Sequence, residues 1–557
     1  MPTYKEKFEQ WCNEPCFDEN TKKELRALTD EKEIEDRFYK DLEFGTAGLR
    51  GIMGAGTNRI GHYTVGKATL GLARFLKEKF ADAEKRGVVI AYDTRNNSQT
   101  LARSAADVLT AEGIFVRLFD RAVPTPVLSF AVRHFSACSG IVITASHNPP
   151  AYNGYKAYDE TGCQLGIEDA NAVLNKVDEI ADWNEIPSKG NDAFLEFIGD
   201  AALSDFCNAV LRQATFRDED AKKDLRIVYT PIHGTGLEPI TQILEKDGFT
   251  NVTVVEEQKI PDGNFPTVKS PNPEERGALE MGISLAEKIG ADLVIGSDPD
   301  ADRVGCAVNH NGTLTLLSGN QVGALLVDFL LKNRTVLGEN PMIITSIVTS
   351  DMGKYIAEKS GCGFEQVLTG FRFIGNKMTA YEKEITEKKE GAHHFLIGFE
   401  ESYGYLCGSH ARDKDAVLGA MLVAEMAAYH KQNGKTLIDA LEDLYSEFGF
   451  FLDKVESFAL QGKEGIARIG QIMELLRKEP DFLPGTEKVL DYAKGVDSLP
   501  KSNVLKIYLK GGSWVAARPS GTEPKIKFYY SIRENDRASA EKKLEELKKV
   551  ILEKTGL

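Results

Sequence analysis

Three stretches of the chain repeat one order of elements: an apolar run rich in β-branched residues, a glycine-bearing or polar loop, then an amphipathic helical segment. The first holds Gly87–Asp93, a helix over Ser98–Glu112, and the runs Ile114–Phe119 and Gly140–Thr144. The second holds Leu225–Tyr229, a helix over Leu237–Asp247, Val252–Val255 and Asp292–Ile295. The third holds Met342–Ile347, a helix after Asp351, and Phe395–Ile397. Short buried strands alternating with helices dictate α/β layers with parallel or mixed sheets. The C-terminal end is built differently. Val504–Leu509 and Trp514–Arg518 flank Lys510-Gly-Gly-Ser513, a hairpin turn, and Ile526–Ile532 precedes a Lys/Glu-rich helix over Ser539–Lys554. Strands gathered together before a helix predict a separate α+β domain. A length of 557 residues suits three or four domains. The expected limits are 1–210, 211–315 and 316–455 for three α/β domains and 456–557 for the α+β domain.

Charge narrows the partners. Asp and Glu number 84 against 68 Lys and Arg, a net charge of −16. Such a surface repels phosphate backbones and anionic lipid, so neither nucleic acid nor membrane is an expected partner. No apolar leader follows Met1. The most hydrophobic stretch, Ala416–Ala424, is far shorter than the ~20 residues that span a bilayer. Eight scattered cysteines without a CxxC pair indicate reduced thiols and a cytoplasmic protein.

Asp298-Pro-Asp-Ala-Asp-Arg303 directly follows the apolar run Asp292–Gly296. Three alternating carboxylates where a strand gives way to a loop can converge on one hard cation, and without one their repulsion is costly. An EF-hand is excluded, because Arg303 stands at the tight-turn glycine and Asn309 at the bidentate glutamate. Magnesium fits better. Thr144-Ala-Ser-His-Asn-Pro149 also ends an apolar strand and presents Ser146 and His147, although Ser-His-Asn-Pro taken alone reads more readily as a turn. Arg518-Pro-Ser-Gly-Thr-Glu-Pro-Lys525 combines an arginine, two hydroxyls and glycine-loosened backbone, which suit a phosphate. Glu400-Glu-Ser402 suits sugar hydroxyls, and His410-Ala-Arg-Asp-Lys-Asp415 adds cations. Two nucleotide motifs fail. Gly61–Lys67 imitates a Walker A loop but Ala68 replaces its Ser/Thr, and Gly234–Pro239 has proline at the third fingerprint glycine.

Together these four loops, in this order, resemble the signature loops of the α-D-phosphohexomutase superfamily. Phe44–Arg50, Thr369–Gly375 and Gly398–Gly404 are most similar to the branch that holds phosphoglucomutases and phosphopentomutases. The resemblance implies a heart-shaped, four-domain α/β enzyme. It implies that Ser146 carries a phosphoryl group and that Asp298, Asp300 and Asp302, with a phosphoserine oxygen, hold Mg²⁺. Arg50, His147 and Lys156 match groups around the phosphoserine. Arg303, Thr369, Gly370, Glu400, Ser402, His410, Arg412 and Lys414 match substrate contacts, and Arg518, Ser520, Gly521 and Thr522 a phosphate grip. The implied reaction interconverts glucose 1-phosphate and glucose 6-phosphate through glucose 1,6-bisphosphate, in a monomer or homodimer whose partner is a small sugar phosphate. Pentose or mannose phosphates, a bisphosphate synthase, a phosphatase and a non-catalytic sensor are the competing readings. Gly404 departs from the histidine of phosphomannomutase-type relatives, and Gly521 from a common asparagine.

Overall fold

The computed structural model describes residues 2–42, 48–335, 337–460, 462–520 and 525–557. They form two compact units. One comprises 1–317, 375–383 and 404–429, the other 318–374, 384–403 and 430–557.

The first unit holds two sheets. In one, Val88–Tyr92 pairs in parallel with Val116–Phe119 on one side and Ser139–Ile143 on the other. Leu195–Ile198 extends it in parallel, while Tyr152–Tyr158 and Leu49–Ile52 add antiparallel strands at the opposite edge. Val88–Tyr92 and Ser139–Ile143 are buried at every position, which is why they read as unbroken apolar runs and not as alternation. The helix Ser98–Ala111 turns Leu101, Ala102, Ala105, Ala106 and Leu109 into this core, the spacing of a single helical face. In the other sheet Leu293–Ser297 lies between Ile227–Thr230, parallel, and Val304–His310, antiparallel. Val252–Val254 and Thr313–Leu317 form its edges.

In the second unit Asn340–Ser346 runs parallel to both Gly363–Val367 and His393–Glu400. A five-stranded antiparallel sheet follows, in the order Phe450–Ala459, Lys525–Glu534, Trp514–Pro519, Leu505–Leu509, Thr486–Asp491. Its hairpin turns through Lys510, Gly511 and Gly512, with Leu509 N–H on Ser513 O at 2.8 Å, and both glycines sit at φ +87°, where a side chain would be strained. The helix Arg537–Thr555 buries Ala540, Leu544, Leu547 and Ile551. This α+β arrangement matches the expectation for the C-terminus.

Several strands do not stand out in the sequence, Tyr152–Tyr158 and Phe450–Ala459 among them. Tyr152–Tyr158, YNGYKAY, has no β-branched residue and sets Asn153, Gly154 and Lys156, types that strands disfavour, among its three tyrosines, so its local signal for a strand is weak. Phe450–Ala459 is charged and half exposed, as an edge strand can be. It pairs with the last strand from Phe450 opposite Glu534 to Ala459 opposite Lys525. The expected limit between 455 and 456 therefore falls inside a strand that belongs whole to the C-terminal sheet. None of the eight cysteines forms a disulfide. Among the described residues no helix is long and apolar enough to cross a membrane.

Candidate active site

The strands Ser139–Ile143 and Leu293–Ser297 both end in loops of the first unit, at the carboxyl edge where α/β sheets present functional groups. Ser146 sits in the first loop at φ +52°, a left-handed conformation that non-glycine residues adopt only when their surroundings hold them. The holding groups are visible. The Ser146 N–H donates to Thr144 Oγ1 at 2.8 Å, and that hydroxyl donates to buried Asp93 Oδ2 at 2.6 Å. The strain turns the Ser146 hydroxyl toward the second loop, where Oγ donates to Asp298 Oδ2 at 2.9 Å. His147 Nδ1 lies 3.1 Å from the same Oγ. Burial, then Arg303 and Arg50, push the His147 imidazole well below its usual pKa.

Asp298, Asp300 and Asp302 are buried, with one carboxylate oxygen of each within 4.8 Å of the others. Ala301 at φ +45° makes the turn that brings alternate side chains to one side. Asp298 Oδ1 accepts the N–H groups of Asp302 and Arg303 at 3.1 and 3.0 Å, which fixes the loop. Burial, with Asp300 and Asp302 adjacent, pushes the Asp298 carboxyl well above the ordinary range, and Asp302 also rises. Burial acts on Asp300 as well, but Lys156 and the Thr125 hydroxyl hold it below its ordinary value. Asp300 Oδ1 and Asp302 Oδ1 are buried without a hydrogen-bond partner. An orphaned buried carboxylate oxygen is costly, and two of them in a cluster of three carboxylates fit a hard divalent cation.

Two ammonium groups complete the cluster. Lys156, on the strand the sequence did not reveal, places Nζ 3.0 Å from Asp300 Oδ2 and 3.6 Å from Asp302 Oδ2. Lys414 Nζ lies 3.1 Å from Asp302 Oδ2 and 3.0 Å from Asp413 Oδ1. Asp413 is held in turn by Tyr158 Oη at 2.7 Å and Gln164 Nε2 at 2.9 Å. Gly404 is explained here: a Cβ on it would stand 2.1 Å from Lys414 Cδ, so the lysine stem occupies the space a side chain would fill.

The second unit carries the other loops. Glu400 is buried at the end of His393–Glu400, and its Oε1 accepts the Gly370 N–H at 2.8 Å. Gly370 has φ +119°, and the neighbouring Thr369 Oγ1 is buried without a partner. Ser402 is partly exposed two residues on. Arg518 lies on Trp514–Pro519, opposite Lys527, and the Ser520 N–H donates to Lys525 O at 2.7 Å across the loop mouth. Gly521 and Thr522 lie outside the described residues, as do residues 44–47 ahead of Arg50. Arg50 itself is exposed, its Nη1 donating to Asn148 Oδ1 at 3.4 Å.

Three expected substrate contacts are engaged in the fold. Arg412 is buried; Nε donates to Thr379 Oγ1, Nη1 to the Ser409 and Ala411 carbonyls, and Nη2 to Glu382 at 2.5 Å. That commitment makes it a clamp on its own loop. His410 Nε2 bonds Asp415 Oδ2 at 2.8 Å and its ring lies against Phe206, so it braces the same loop. Arg303 is ion-paired with Glu274. Conversely, Asp93, Arg95 and Thr125 were missed. Arg95 Nη1 donates to the Pro149 and Tyr152 carbonyls at 3.0 and 3.1 Å, and Nη2 to those of Ser146, at 2.6 Å, and Asn148. Thr125 Oγ1 donates to Asp300 Oδ2 at 2.8 Å. A signal existed for the first two, because Asp93-Thr-Arg95 ends an apolar run as Ser146 and Asp298 do.

Buried carboxylates beside a strained serine, on α/β sheets followed by an α+β domain, define the class to which comparison leads. The chain belongs to the phosphoglucomutase/phosphomannomutase family: its α/β/α domains I, II and III match residues 41–183, 204–312 and 318–448, and its C-terminal domain matches 472–548. Within it, a phosphoglucomutase of Staphylococcus haemolyticus is 37% identical over 521 residues, covering 89% of this chain and 91% of that one. A phosphoglucomutase of Staphylococcus aureus is also 37% identical, covering 90% and 92%. The open form of parafusin, a phosphoglucomutase from Paramecium, has the same fold at a TM-score of 0.70 and 18% identity, covering 93% of this chain and 96% of that one.

Proposed function

We propose that this chain is an isomerase that interconverts glucose 1-phosphate and glucose 6-phosphate by way of a phosphorylated Ser146. The observation that carries the reading is the Ser146 hydroxyl, held in a strained turn and bonded to one of three buried aspartates. The staphylococcal phosphoglucomutases at 37% identity support the sugar.

In the forward half-reaction the Oγ–P bond of phosphorylated Ser146 breaks and an O–P bond to the free hydroxyl of the sugar monophosphate forms. The sugar bisphosphate that results, glucose 1,6-bisphosphate, returns its other phosphate to Ser146 after turning around. The proton of the attacking hydroxyl finishes on Ser146 Oγ, and His147 Nδ1 at 3.1 Å is placed to deliver it. Lys156 and Lys414 put positive charge on the aspartate cluster that the Ser146 hydroxyl faces, where it would offset the negative charge of a phosphoryl group moving between Ser146 Oγ and the sugar. Asp298, Asp300 and Asp302 would hold Mg²⁺, which when bound supplies charge neutralisation to the transferring oxygens. Glu400, Thr369, Gly370 and Ser402 are assigned to the sugar, and Arg518, Ser520, Gly521 and Thr522 to the phosphate that does not react, where remote binding energy orients the substrate. Arg50 is assigned to the phosphoserine. The domains given these roles run 1–210, 211–315, 316–449 and 450–557, the last limit set so that Phe450–Ala459 stays whole.

The test is a coupled assay with glucose 1-phosphate, ribose 1-phosphate and mannose 1-phosphate, each with Mg²⁺ and a trace of the matching bisphosphate. Glucose 6-phosphate formed fastest is the expected result. A pentose or mannose preference overturns the sugar, and release of inorganic phosphate without isomer overturns the isomerase.

A further inference from the structure

In the first unit, a pocket of about 300 Å³ is lined by Arg133, His134, Arg212, Gln213, Ser409 and His410, with Phe130 as an apolar wall. None of the reacting groups belongs to it. Its lining offers two guanidiniums, two imidazoles, an amide and a hydroxyl, and no carboxylate, in a chain of net charge −16. Arg212 is exposed and its side chain has no ion-pair partner among the described residues. Arg133 and Arg412 share one carboxylate, Glu382, so that two guanidinium charges are balanced by a single negative one. His134 lies 3.5 Å from Asp205 and stacks on Phe130 with centroids 5.2 Å apart. The His410 side chain is 4% exposed, and its Nδ1 has no hydrogen-bond partner.

The walls of this pocket are the elements that grip the aspartate cluster. Phe130, Arg133 and His134 belong to the helix Thr125–His134. The first residue of that helix donates both its N–H and its hydroxyl to Asp300, at 2.9 and 2.8 Å. Ser409 and His410 open the loop that ends at Lys414, 3.1 Å from Asp302. The two walls are pinned together by the Arg412 N–H on Ser129 Oγ at 2.8 Å. From His410 the chain of contacts runs to Asp415, which caps the next helix by accepting from the Val417 and Leu418 N–H groups.

We propose that this pocket is a second binding site, for a small phosphate monoester, and that its occupancy is felt at Asp300 and Asp302 through those two walls. Arginine forks and imidazoles beside a flat apolar wall suit a phosphate carrying a small organic body. Two elements that each join the pocket to one aspartate supply the physical link that coupling between sites needs.

The test uses phenyl phosphate as probe, titrated calorimetrically into the full-length protein, with Arg212→Glu and Arg518→Ala in parallel. Arg212→Glu is expected to weaken binding by about tenfold or more, the loss of one charge-assisted contact, and to leave turnover without the probe unchanged. Arg212→Gln serves if charge reversal disturbs the fold. Arg518→Ala is expected to bind the probe as the parent does. Saturating probe should change the parent's turnover by about fivefold or more and leave that of Arg212→Glu untouched. Equal binding by the Arg212 variants, or loss of binding in Arg518→Ala, overturns the site. Unchanged turnover at saturation overturns the coupling. Because binding is read without substrate, failure here is distinguishable from failure of the proposed reaction.

Discussion

Arg95 offers the sharpest perturbation outside the reacting groups. Its guanidinium and the Asp93 carboxylate are both fully buried, 3.4 Å apart, and its ring of donors ties down four carbonyls of the turn that presents Ser146. Arg95→Met keeps the bulk but removes every donor and leaves Asp93 as an uncompensated buried charge. Breaking a buried pair in this way costs about 3–5 kcal/mol, readable as a lower urea midpoint. The kinetic effect is separate. With its carbonyls released, the loop no longer holds Ser146 at φ +52°, and a misplacement of about 1 Å is worth about 100-fold in rate. We expect kcat to fall by about that factor with KM nearly unchanged, measured in the coupled assay at a temperature where circular dichroism shows the variant folded. Arg95→Lys restores a charge for Asp93 but not the fork, so it should recover more stability than kcat. An Arg95→Met enzyme that is folded and turns over at the parental rate would refute the reasoning.

Further outcomes follow from the same geometry. Gly404→Ala must displace the Lys414 stem, whose Cδ lies 2.1 Å from the new Cβ, and should lower kcat by about tenfold without lowering thermal stability by a comparable share; parental kcat would show that the Lys414–Asp302 contact is dispensable. Dialysis against a chelator should abolish turnover and added Mg²⁺ restore it, whereas Asp300→Asn should stay inactive with Mg²⁺ present; full activity of the chelated protein contradicts the cation reading. Lys506 is fully buried, its Nζ donating to Ile347 O at 2.8 Å and lying 4.0 Å from the Trp514 ring centroid. Burial pulls its pKa from 10.5 to about 8 against the attraction of Asp351. Because the folded pKa lies below the unfolded one, folding excludes a proton between these values and stability rises as pH climbs from about 8 to 10.5. Below pH 8 the full penalty applies, about 3 kcal/mol before the hydrogen bond and ring contact offset part of it. Lys506→Met should flatten that pH dependence and gain about 1–2 kcal/mol at pH 7 in chemical denaturation; an unchanged pH profile would show that the ammonium is not penalised.

The sequence was most legible where hydrophobicity and chemistry coincide. Asp298–Arg303 and Thr144–Pro149 each follow a strand buried on both faces, so an apolar run ending in polar residues announced both the strand and the group at its tip. The strand Tyr152–Tyr158 was hidden because Lys156 and Asn153 are buried for polar reasons: one neutralises Asp300, the other donates to Ser98 Oγ at 3.0 Å and to the Asn96 carbonyl. Polar burial leaves no apolar signature. Phe450–Ala459 was hidden for the opposite reason, since an exposed edge strand tolerates the charges of a surface helix. Within His410–Asp415 the resemblance marks His410, Arg412 and Lys414 alike as substrate contacts, and the structure separates them by side-chain direction. Lys414 meets Asp302, while Arg412 ties its loop to Thr379 and Glu382 and His410 bonds Asp415. Periodicity cannot report such directions in an irregular segment.

The central claim is that Ser146 carries the phosphoryl group in transit, and label transfer tests it most directly. Protein bearing ³²P on Ser146 is mixed with unlabelled glucose 1-phosphate and Mg²⁺, and the label is followed in rapid-quench samples beside Ser146→Ala. The account predicts that label leaves the protein for glucose 1,6-bisphosphate and then glucose 6-phosphate at least as fast as turnover, and that Ser146→Ala is inactive. Label that stays on the protein while isomer accumulates, or a Ser146→Ala enzyme that still turns over, would contradict it.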